Sequence, residues 1–150
     1  MSQEDKMLLI KDLSARLPYA VTVEHTSGFR GTLHDITVHH MYDENDNVYD
    51  AICYTDFFGD EDSIYIEYFK PYLFPISSMT EEQSTELNSI GWYFDGYDIS
   101  NSEAYYSEGA NYVTQNECYT LIDWLNKNHF DFRGLIEKGL AIDATGLNIY

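Results

Sequence analysis

Apolar and polar positions at the start of the chain follow the period of an α-helix. The apolar side chains recur at intervals of three or four residues, at Met7, Leu8, Ile10, Leu13 and Leu17. This spacing predicts a helix with one apolar face. Ser2, followed three residues later by Asp5, predicts the N-cap. Pro18 predicts the end of the helix, because the residue before a proline is pushed out of the α region.

From residue 19 to residue 70 the pattern changes to short β-branched and aromatic runs that are separated by Gly, Asp and Asn clusters. Such runs predict four or five antiparallel strands joined by hairpins. Gly31 lies inside one of these runs and predicts a bend or bulge. Because the strands are short and follow a helix, we expect a small, strongly bent β-barrel. The residues predicted to share its core are Val21, Val23, Leu33, Ile52, Ile64 and Ile66.

Two prolines mark the exit from the predicted barrel. Pro71 and Pro75 lie in the segment 70–75, and a proline supplies no backbone donor for regular structure. We therefore expect this segment to be an extended connector. Further along, residues 91–112 are rich in aromatic and acidic side chains. They predict an ordered loop anchored by its aromatic residues, with room for a hairpin inside it.

Two later helices are predicted by capping boxes, in which a Ser or Thr precedes an acid by three residues. The box at 78–81 predicts a helix to about Asn88, and the box at 114–117 predicts a helix to about Asn128. On the second of these helices the predicted inward stripe consists of Cys118, Leu121, Ile122 and Leu125.

Together these patterns predict an α+β fold. We expect an N-terminal helix, a small antiparallel β-barrel of four or five strands, and C-terminal helices packed on it. The 150 residues are expected to form a single domain, with the barrel in 19–70 and a mainly helical part in 78–150. The C-terminal residues predicted to pack on the barrel are Leu121, Ile122, Trp124, Leu125, Phe130 and Leu135.

The formal net charge of the chain is −18, and it is distributed unevenly. Between Arg30 and Lys127 the only basic residue is Lys70, and the same stretch holds 19 of the 26 acidic residues and 12 of the 14 tyrosines. An acidic surface repels nucleic-acid phosphates and anionic lipids. We therefore expect no direct nucleic-acid binding and no membrane binding, and we expect a basic protein surface as the partner.

The N-terminal sequence and the cysteines predict a cytoplasmic protein. Residues 1–18 carry charges within their apolar run and hold no cleavage site, so we do not interpret them as a signal peptide. No stretch of the sequence approaches the ~20 apolar residues that a membrane span requires. Cys53 and Cys118 lie far apart, and we expect both to be reduced thiols in the core.

The sequence contains none of the common enzyme motifs, which favours a non-enzymatic protein without a cofactor. Asp95 and Asp98 lie beside aromatic residues, a combination typical of sugar sites. A small sugar-binding protein or hydrolase that uses these two acids is therefore an alternative. His34 and His40 would share a strand face, but no third ligand follows at a firm spacing, so we expect no metal site.

His129, Asp131 and Arg133 form a compact polar group between apolar residues. As a functional site, they would be a binding or catalytic cluster. As a structural corner, Asp131 would cap a last short helix over 133–138, and Arg133 would pair with a carboxylate. Capping and core packing already account for these residue types, so we favour the structural corner.

The hypothesis that we prefer is a non-enzymatic interaction module with an acidic, tyrosine-rich binding surface. Tyrosines supply contact area at a low entropic cost, and carboxylates steer a basic partner towards the surface. A DNA-mimic inhibitor of a nucleic-acid-binding or defence protein is an alternative of the same kind. The candidate binding residues are Asp60, Glu61, Asp62, Trp92, Tyr97 and Tyr105.

Three segments of the chain carry a resemblance to known proteins. They are LLIKDLSARLPYAV, FKPYLFPISSMTEE and DWLNKNHFDFRGLIEKGLAID. These segments resemble an uncharacterised family of small proteins from gut-bacterial genomes, phages and prophages. The resemblance implies a mobile-element origin and an accessory role, and it implies no mechanism. In addition, residues 19–70, with their GFRGTL sequence, resemble an Sm-like or KOW-like small barrel.

Overall fold

The structure is a computed structural model that describes residues 1–41, 48–55, 64–96, 99–101 and 115–150, with the backbone alone described for residues 39–41, 48–55, 64, 100–101 and 115–117. The chain divides into two compact units: the first unit is Met1–Leu73 with Arg133–Tyr150, and the second unit is Phe74–Phe132. The fold is mixed α/β, with an N-terminal helix, a curled sheet of four to five strands and a C-terminal helix. The prediction of a single domain stays a prediction.

Helix α1 (Gln3–Arg16) begins and ends where the sequence predicts. Ser2 is the N-cap, and its hydroxyl accepts a hydrogen bond from the backbone N–H of Asp5 at 3.1 Å. The Asp5 carboxylate accepts in turn from Ser2, which completes a capping box. After Arg16 the chain continues as a 3₁₀ turn that contains Pro18. The predicted helix and both of its end signals are confirmed.

Five strands of the first unit follow in the order β4-β3-β2-β1-β5, and every neighbouring pair is antiparallel. They are β1 (Thr22–His25), β2 (Arg30–Met41), β3 (Val48–Thr55), β4 (Ile64–Tyr65) and β5 (Phe69–Pro75). The first residues of β2 pair with β1 and the later ones with β3, and the register shifts between Leu33 and Asp35. This irregularity lies just beyond Gly31, where the sequence predicts a bend. The sheet is curled, and its closure into a barrel stays a prediction.

Strand β5 corrects the prediction of an extended connector over 70–75. It pairs with β1 on one side, with Pro71 opposite Val23, and with a short parallel strand β9 (Ile142–Asp143) on the other. Phe69, Tyr72 and Leu73 are at most 1% exposed. Prolines disfavour a central strand because they lack a donor, but here the burial of large side chains outweighs that loss. Just before β5, residues Ile66–Tyr68 form a 3₁₀ turn within the region 19–70 that the sequence predicts to be strands and hairpins.

The core of the first unit joins one face of α1 to the inner face of the sheet. Four of the six predicted residues, Val21, Val23, Leu33 and Ile66, belong to one buried cluster with Leu9, Leu13, Phe69 and Leu73. The side chains of the other two, Ile52 and Ile64, lie outside the described residues. Leu135 and Leu140 belong to the same cluster, so the segment after residue 132 completes this core.

The predicted short helix over 133–138 is wrong, because the backbone forms turns there. The N–H of Leu140 donates to the carbonyl of Leu135 at 2.8 Å, and the N–H of Gly139 donates to Ile136 at 3.0 Å. Gly139 has a φ of 69°, a left-handed conformation that glycine adopts without steric cost. The turns bring Leu135 and Leu140 into the core, and this burial replaces a regular helix.

The first α-helix of the second unit is α2 (Glu81–Ser89), whose N-cap is Thr80 and not the predicted Ser78. The Thr80 hydroxyl accepts from the N–H of Gln83 at 3.2 Å, and the Gln83 side chain accepts from the Thr80 N–H at 2.9 Å. Ser78 is the last residue of a preceding 3₁₀ turn. Two short strands follow as an antiparallel hairpin, β6 (Trp92–Phe94) and β7 (Ile99–Asn101). The rest of the predicted loop 91–112 largely lies outside the described residues.

Helix α3 (Gln115–Lys127) and strand β8 (Phe130–Asp131) complete the second unit. The strand pairs in parallel with the last residues of β5, Phe74 and Pro75. Trp124 stacks on Phe130 with ring centroids 5.6 Å apart. The buried members of this core are Leu87, Trp92, Trp124, Leu125 and Phe130.

The predicted inward stripe of α3 is partly wrong. Cys118 is an exposed free thiol and Ile122 is 38% exposed, whereas Trp124 and Leu125 are buried. The buried face is therefore rotated towards Trp124, whose large ring gains more from burial than a cysteine does. Leu135, which was predicted to pack on the strands of 19–70, belongs to the core that contains them, whereas Trp124, Leu125 and Phe130 belong to the core of the second unit.

Candidate functional site

Most of the predicted binding residues lie outside the described part of the chain. This applies to Asp60, Glu61, Asp62, Tyr97 and Tyr105. Trp92 is described, and it is only 7% exposed within the core of the second unit. Its indole ring therefore offers little surface to a partner, and its role is to hold the β6–β7 hairpin in that core.

The clearest acidic surface among the described residues is on α2. Glu81, Glu82 and Glu86 are all exposed, and the helix contains no basic residue. Within the described chain, none of these three carboxylates forms an ion pair. Glu82 and Glu86 are four residues apart, so they lie on one side of the helix about 6 Å apart along its axis. Like charges at this spacing repel each other, and a cationic partner would relieve that repulsion.

The first unit neutralises much of its own charge by contrast. Lys6 lies 2.5 Å from Glu67, and Arg30 lies 2.8 Å from Glu24. Asp12 pairs with two arginines. The second unit carries ten acidic residues in its sequence, and Lys127 is its only basic residue. Its acidity therefore has little internal compensation, and α2 presents part of it to solvent.

The carboxylate of Asp12 is the centre of a buried ion-pair network in the first unit. Arg16 donates to both of its oxygens, from Nε at 2.7 Å and from Nη2 at 3.0 Å. Arg133 donates from Nη1 to Oδ1 at 2.7 Å. Asp12 and Arg16 are fully buried, and the side chain of Arg133 is 15% exposed. Such a pair fixes geometry, because removal of one partner leaves a charge buried without it.

The ion pair with Asp12 gives Arg133 a different role from His129 and Asp131, the other members of the polar group considered from the sequence. Arg133 belongs to the first unit and pairs with a carboxylate there. His129 and Asp131 belong to the second unit and are 8% and 9% exposed. His129 has a φ of 57°, and its carbonyl accepts from the N–H of Phe74 at 2.9 Å. The histidine therefore turns the chain between α3 and β8.

A second polar cluster, which is not evident from the sequence pattern, lies on the outer face of the first unit's sheet. Glu24 on β1 is opposite Arg30 on β2 and opposite Lys70 on β5, so the three residues form one row across three strands. The Nε of Arg30 donates to Oε2 of Glu24 at 2.8 Å, and the Tyr72 hydroxyl donates to the same oxygen. The guanidinium carbon of Arg30 lies 5.0 Å from the centroid of the Tyr72 ring.

The hydrogen bonds of this cluster change its titration. The bonds from Tyr72 and from Arg30 lower the pKa of Glu24, and the bond to Glu24 raises the pKa of Arg30. Burial, together with the bond to Glu24, raises the pKa of Tyr72 to about 12. Glu24 therefore remains ionised and Tyr72 remains a hydrogen-bond donor at neutral pH. The alternation of Thr22, Glu24, Arg30 and Thr32 in the sequence indicates polar side chains on one face of β1 and β2. Lys70 and Tyr72 could not be added to that face from the sequence, because the segment 70–75 was expected to be a connector and not a strand.

The hydroxyl of Tyr150 is inserted between β1 and β5, beside this cluster. It accepts from the N–H of Thr22 at 3.3 Å and donates to the carbonyl of Tyr72 at 2.7 Å. These two backbone groups continue the register in which Val23 is opposite Pro71. Tyr150 as a whole is 46% exposed, but the burial of its hydroxyl between the strands raises its pKa to about 12. The tyrosine hydroxyl thus takes the place of a direct strand-to-strand hydrogen bond.

The other sites considered from the sequence receive little support. Asp95 is exposed in the hairpin, and Asp98 lies outside the described residues. His34 is exposed at the irregularity in β2, and the side chain of His40 is not described. Among the side chains that the structure describes, no group of three or more His, Cys, Asp and Glu residues is arranged to hold a metal ion.

No protein-family model, no curated protein and no solved structure matches this chain. Across the described helices, none combines the length and the apolar character that a membrane crossing requires.

Proposed function

We propose that this chain is a non-enzymatic interaction module whose acidic surface binds a basic protein. The observation that carries the proposal is α2, which exposes Glu81, Glu82 and Glu86 without an ion pair among the described residues. Carboxylates arrayed on a rigid helix create a fixed negative potential that attracts a basic surface and accelerates association. The first unit, where cations pair with acids, contributes less to this potential.

We extend the proposed surface to the acidic turn of Asp60, Glu61 and Asp62 and to Tyr97 and Tyr105, on the strength of the sequence alone. Tyr93, on the exposed side of β6, is 42% exposed and adds an aromatic ring near the hairpin. Aromatic rings among carboxylates suit a protein interface, where tyrosine is enriched. Trp92 supports the surface from within the core.

The proposed setting is the cytoplasm of a bacterial host, with an accessory role for a phage or another mobile element. The sequence resemblance is the support for the mobile element. The exposed free thiol of Cys118 is the support for a reducing compartment, because exposed thiols are oxidised or paired outside the cytoplasm.

The test begins with capture of partners from a bacterial lysate by the purified full-length chain. The association rate of a captured partner is then measured between low and high salt. We expect a basic contact surface and an association rate that falls at least tenfold, since salt screens exposed charges beyond a Debye length of about 8 Å at physiological ionic strength. An association rate that is independent of salt would contradict the proposal.

A DNA-mimic inhibitor is the second candidate, and the row of carboxylates on α2 favours it over an enzyme. If it is correct, the captured partner binds DNA, and duplex DNA competes with this chain for it. A captured partner that binds duplex DNA and this chain at the same time would exclude the DNA mimic and leave an ordinary protein interface. The third candidate, a sugar-binding protein or hydrolase that uses Asp95 and Asp98, is weakened by the burial of Trp92, which removes one aromatic surface on which a sugar would stack.

A further inference from the structure

Arg30 on the outer face of the first unit's sheet is fixed in place while its terminal nitrogens remain available. Its Nε is bound to Glu24 at 2.8 Å, and the Tyr72 ring lies beneath the guanidinium group. The hydrogen bond to Glu24 is made by Nε, so Nη1 and Nη2 are not used in that bond, and Tyr72 is the other side chain that interacts with the guanidinium group. The side chain is 54% exposed, so these nitrogens can reach solvent. A guanidinium group held in this way loses little conformational entropy when it binds a ligand.

A second cation lies in the same row. Lys70 is exposed on β5, and it forms no ion pair within the described part of the chain. Glu24 lies between the two cations, and Arg30 and Tyr72 already bind its Oε2 atom. Two strand spacings separate the backbones of Arg30 and Lys70, which is about 10 Å. Long side chains on these backbones can converge on one ligand.

We propose that Arg30 and Lys70 form a binding site for a small oxyanion, the carboxylate or phosphate group of a small molecule. The terminal nitrogens of a guanidinium group match two oxygens of such a group, and Lys70 adds a second positive charge. The net charge of −18 repels extended polyanions from the chain, so the ligand carries few charges. This site is independent of the acidic surface, because it lies in the first unit and has the opposite charge.

The test uses the full-length chain labelled with ¹⁵N. Inorganic phosphate and acetate are titrated separately at constant ionic strength, with chloride as the balancing anion. We expect saturable shifts of the Arg30 Nε–H signal and of the backbone amides of residues 24, 30 and 70. Tighter binding of acetate assigns the site to carboxylates, and tighter binding of phosphate assigns it to phosphate groups. No saturation by either anion below about 10 mM would overturn the proposal.

Three variants separate a specific site from a general charge effect. Arg30→Lys keeps the charge but removes the paired donors, so we expect about tenfold weaker binding. Lys70→Gln should weaken binding as well. Lys138→Gln, a change of another exposed lysine by the same charge, should leave it unchanged. Equal losses in Lys70→Gln and Lys138→Gln, or full binding by Arg30→Lys, would overturn the site.

Discussion

Asp12 is a fully buried carboxylate that joins two arginines from distant parts of the sequence. Arg16 lies one turn further along the same helix, whereas Arg133 comes from the segment that follows the second unit. A buried charge is tolerated only with well-placed partners. Asp12 therefore fixes α1 to the returning chain within the first unit.

Replacement of Asp12 by asparagine should destabilise the chain strongly. The amide keeps the shape but removes the negative charge, so two guanidinium groups lose their common anion. We expect the free energy of unfolding in urea to fall by about 3–5 kcal/mol. Glu137→Gln, an exposed change of the same kind, should alter it by less than about 0.5 kcal/mol. A parent-like Asp12→Asn variant would show that the network does not support the fold.

The raised pKa of Tyr150 leads us to expect that the chain loses stability at alkaline pH. Its pKa is raised to about 12 in the folded chain, whereas an unfolded tyrosine titrates near pH 10. The neutral hydroxyl is thus favoured by folding, so its contribution is complete below pH 10 and is lost as the pH rises towards 12. Unfolding of the Tyr150→Phe variant should cost less free energy than that of the parent at pH 8, and the difference should shrink by pH 12. A constant difference over this range would contradict the bridge between Thr22 and Tyr72.

Among the elements, β5 is the one whose position in the middle of the sheet can be tested against the expected connector. Leu73 on β5 and Leu33 on β2 are 0% and 1% exposed, whereas Leu147 is 42% exposed. Leu33→Ala and Leu73→Ala should each lower the free energy of unfolding by about 2–5 kcal/mol. Leu147→Ala removes the same atoms from a half-exposed position and should cost much less. If Leu73→Ala matches Leu147→Ala, the central position of β5 is incorrect.

The elements that the sequence predicts well are those set by local chemistry. The capping box at Ser2 and the apolar spacing of α1 act within a few residues, so the helix was predicted with both ends. Strand β5 depends on two neighbours from distant segments, and Pro71 argued against it. The turns after residue 133 depend on the core that Leu135 enters. Local rules cannot indicate which partner a segment will meet.

The candidate sites can also be divided into those that are evident from local sequence and those that depend on contacts between distant segments. The excess of acids was evident from composition, and the exposed carboxylates of α2 agree with it. The row of Arg30, Glu24 and Lys70 arises from the registers of β1 with β2 and with β5. Strand register is set by long-range pairing, so the sequence could not assemble this row.

In the molecule as a whole, the two units differ in how far their acidic residues are balanced by basic ones. The first unit pairs Lys6, Arg30 and two further arginines with acids, and it presents Lys70 on its sheet. The second unit sets one basic residue against ten acids in its sequence. We therefore expect a basic partner to bind the second unit and a small anion to bind the first.

The proposed function requires that the acids of α2 attract the basic partner. The most direct measurement is the association rate of a captured partner with Glu82→Gln/Glu86→Gln and with the control Glu4→Gln/Glu137→Gln. Both variants lose two exposed charges, and Glu4 and Glu82 are each the second residue of a helix. We expect a several-fold slower association and a flatter salt dependence for the α2 variant alone. Reversal of Asp60, Glu61 and Asp62 should act in the same direction without a change in melting temperature. Equal association rates for the α2 variant and its control would show that the acids of α2 do not attract the partner.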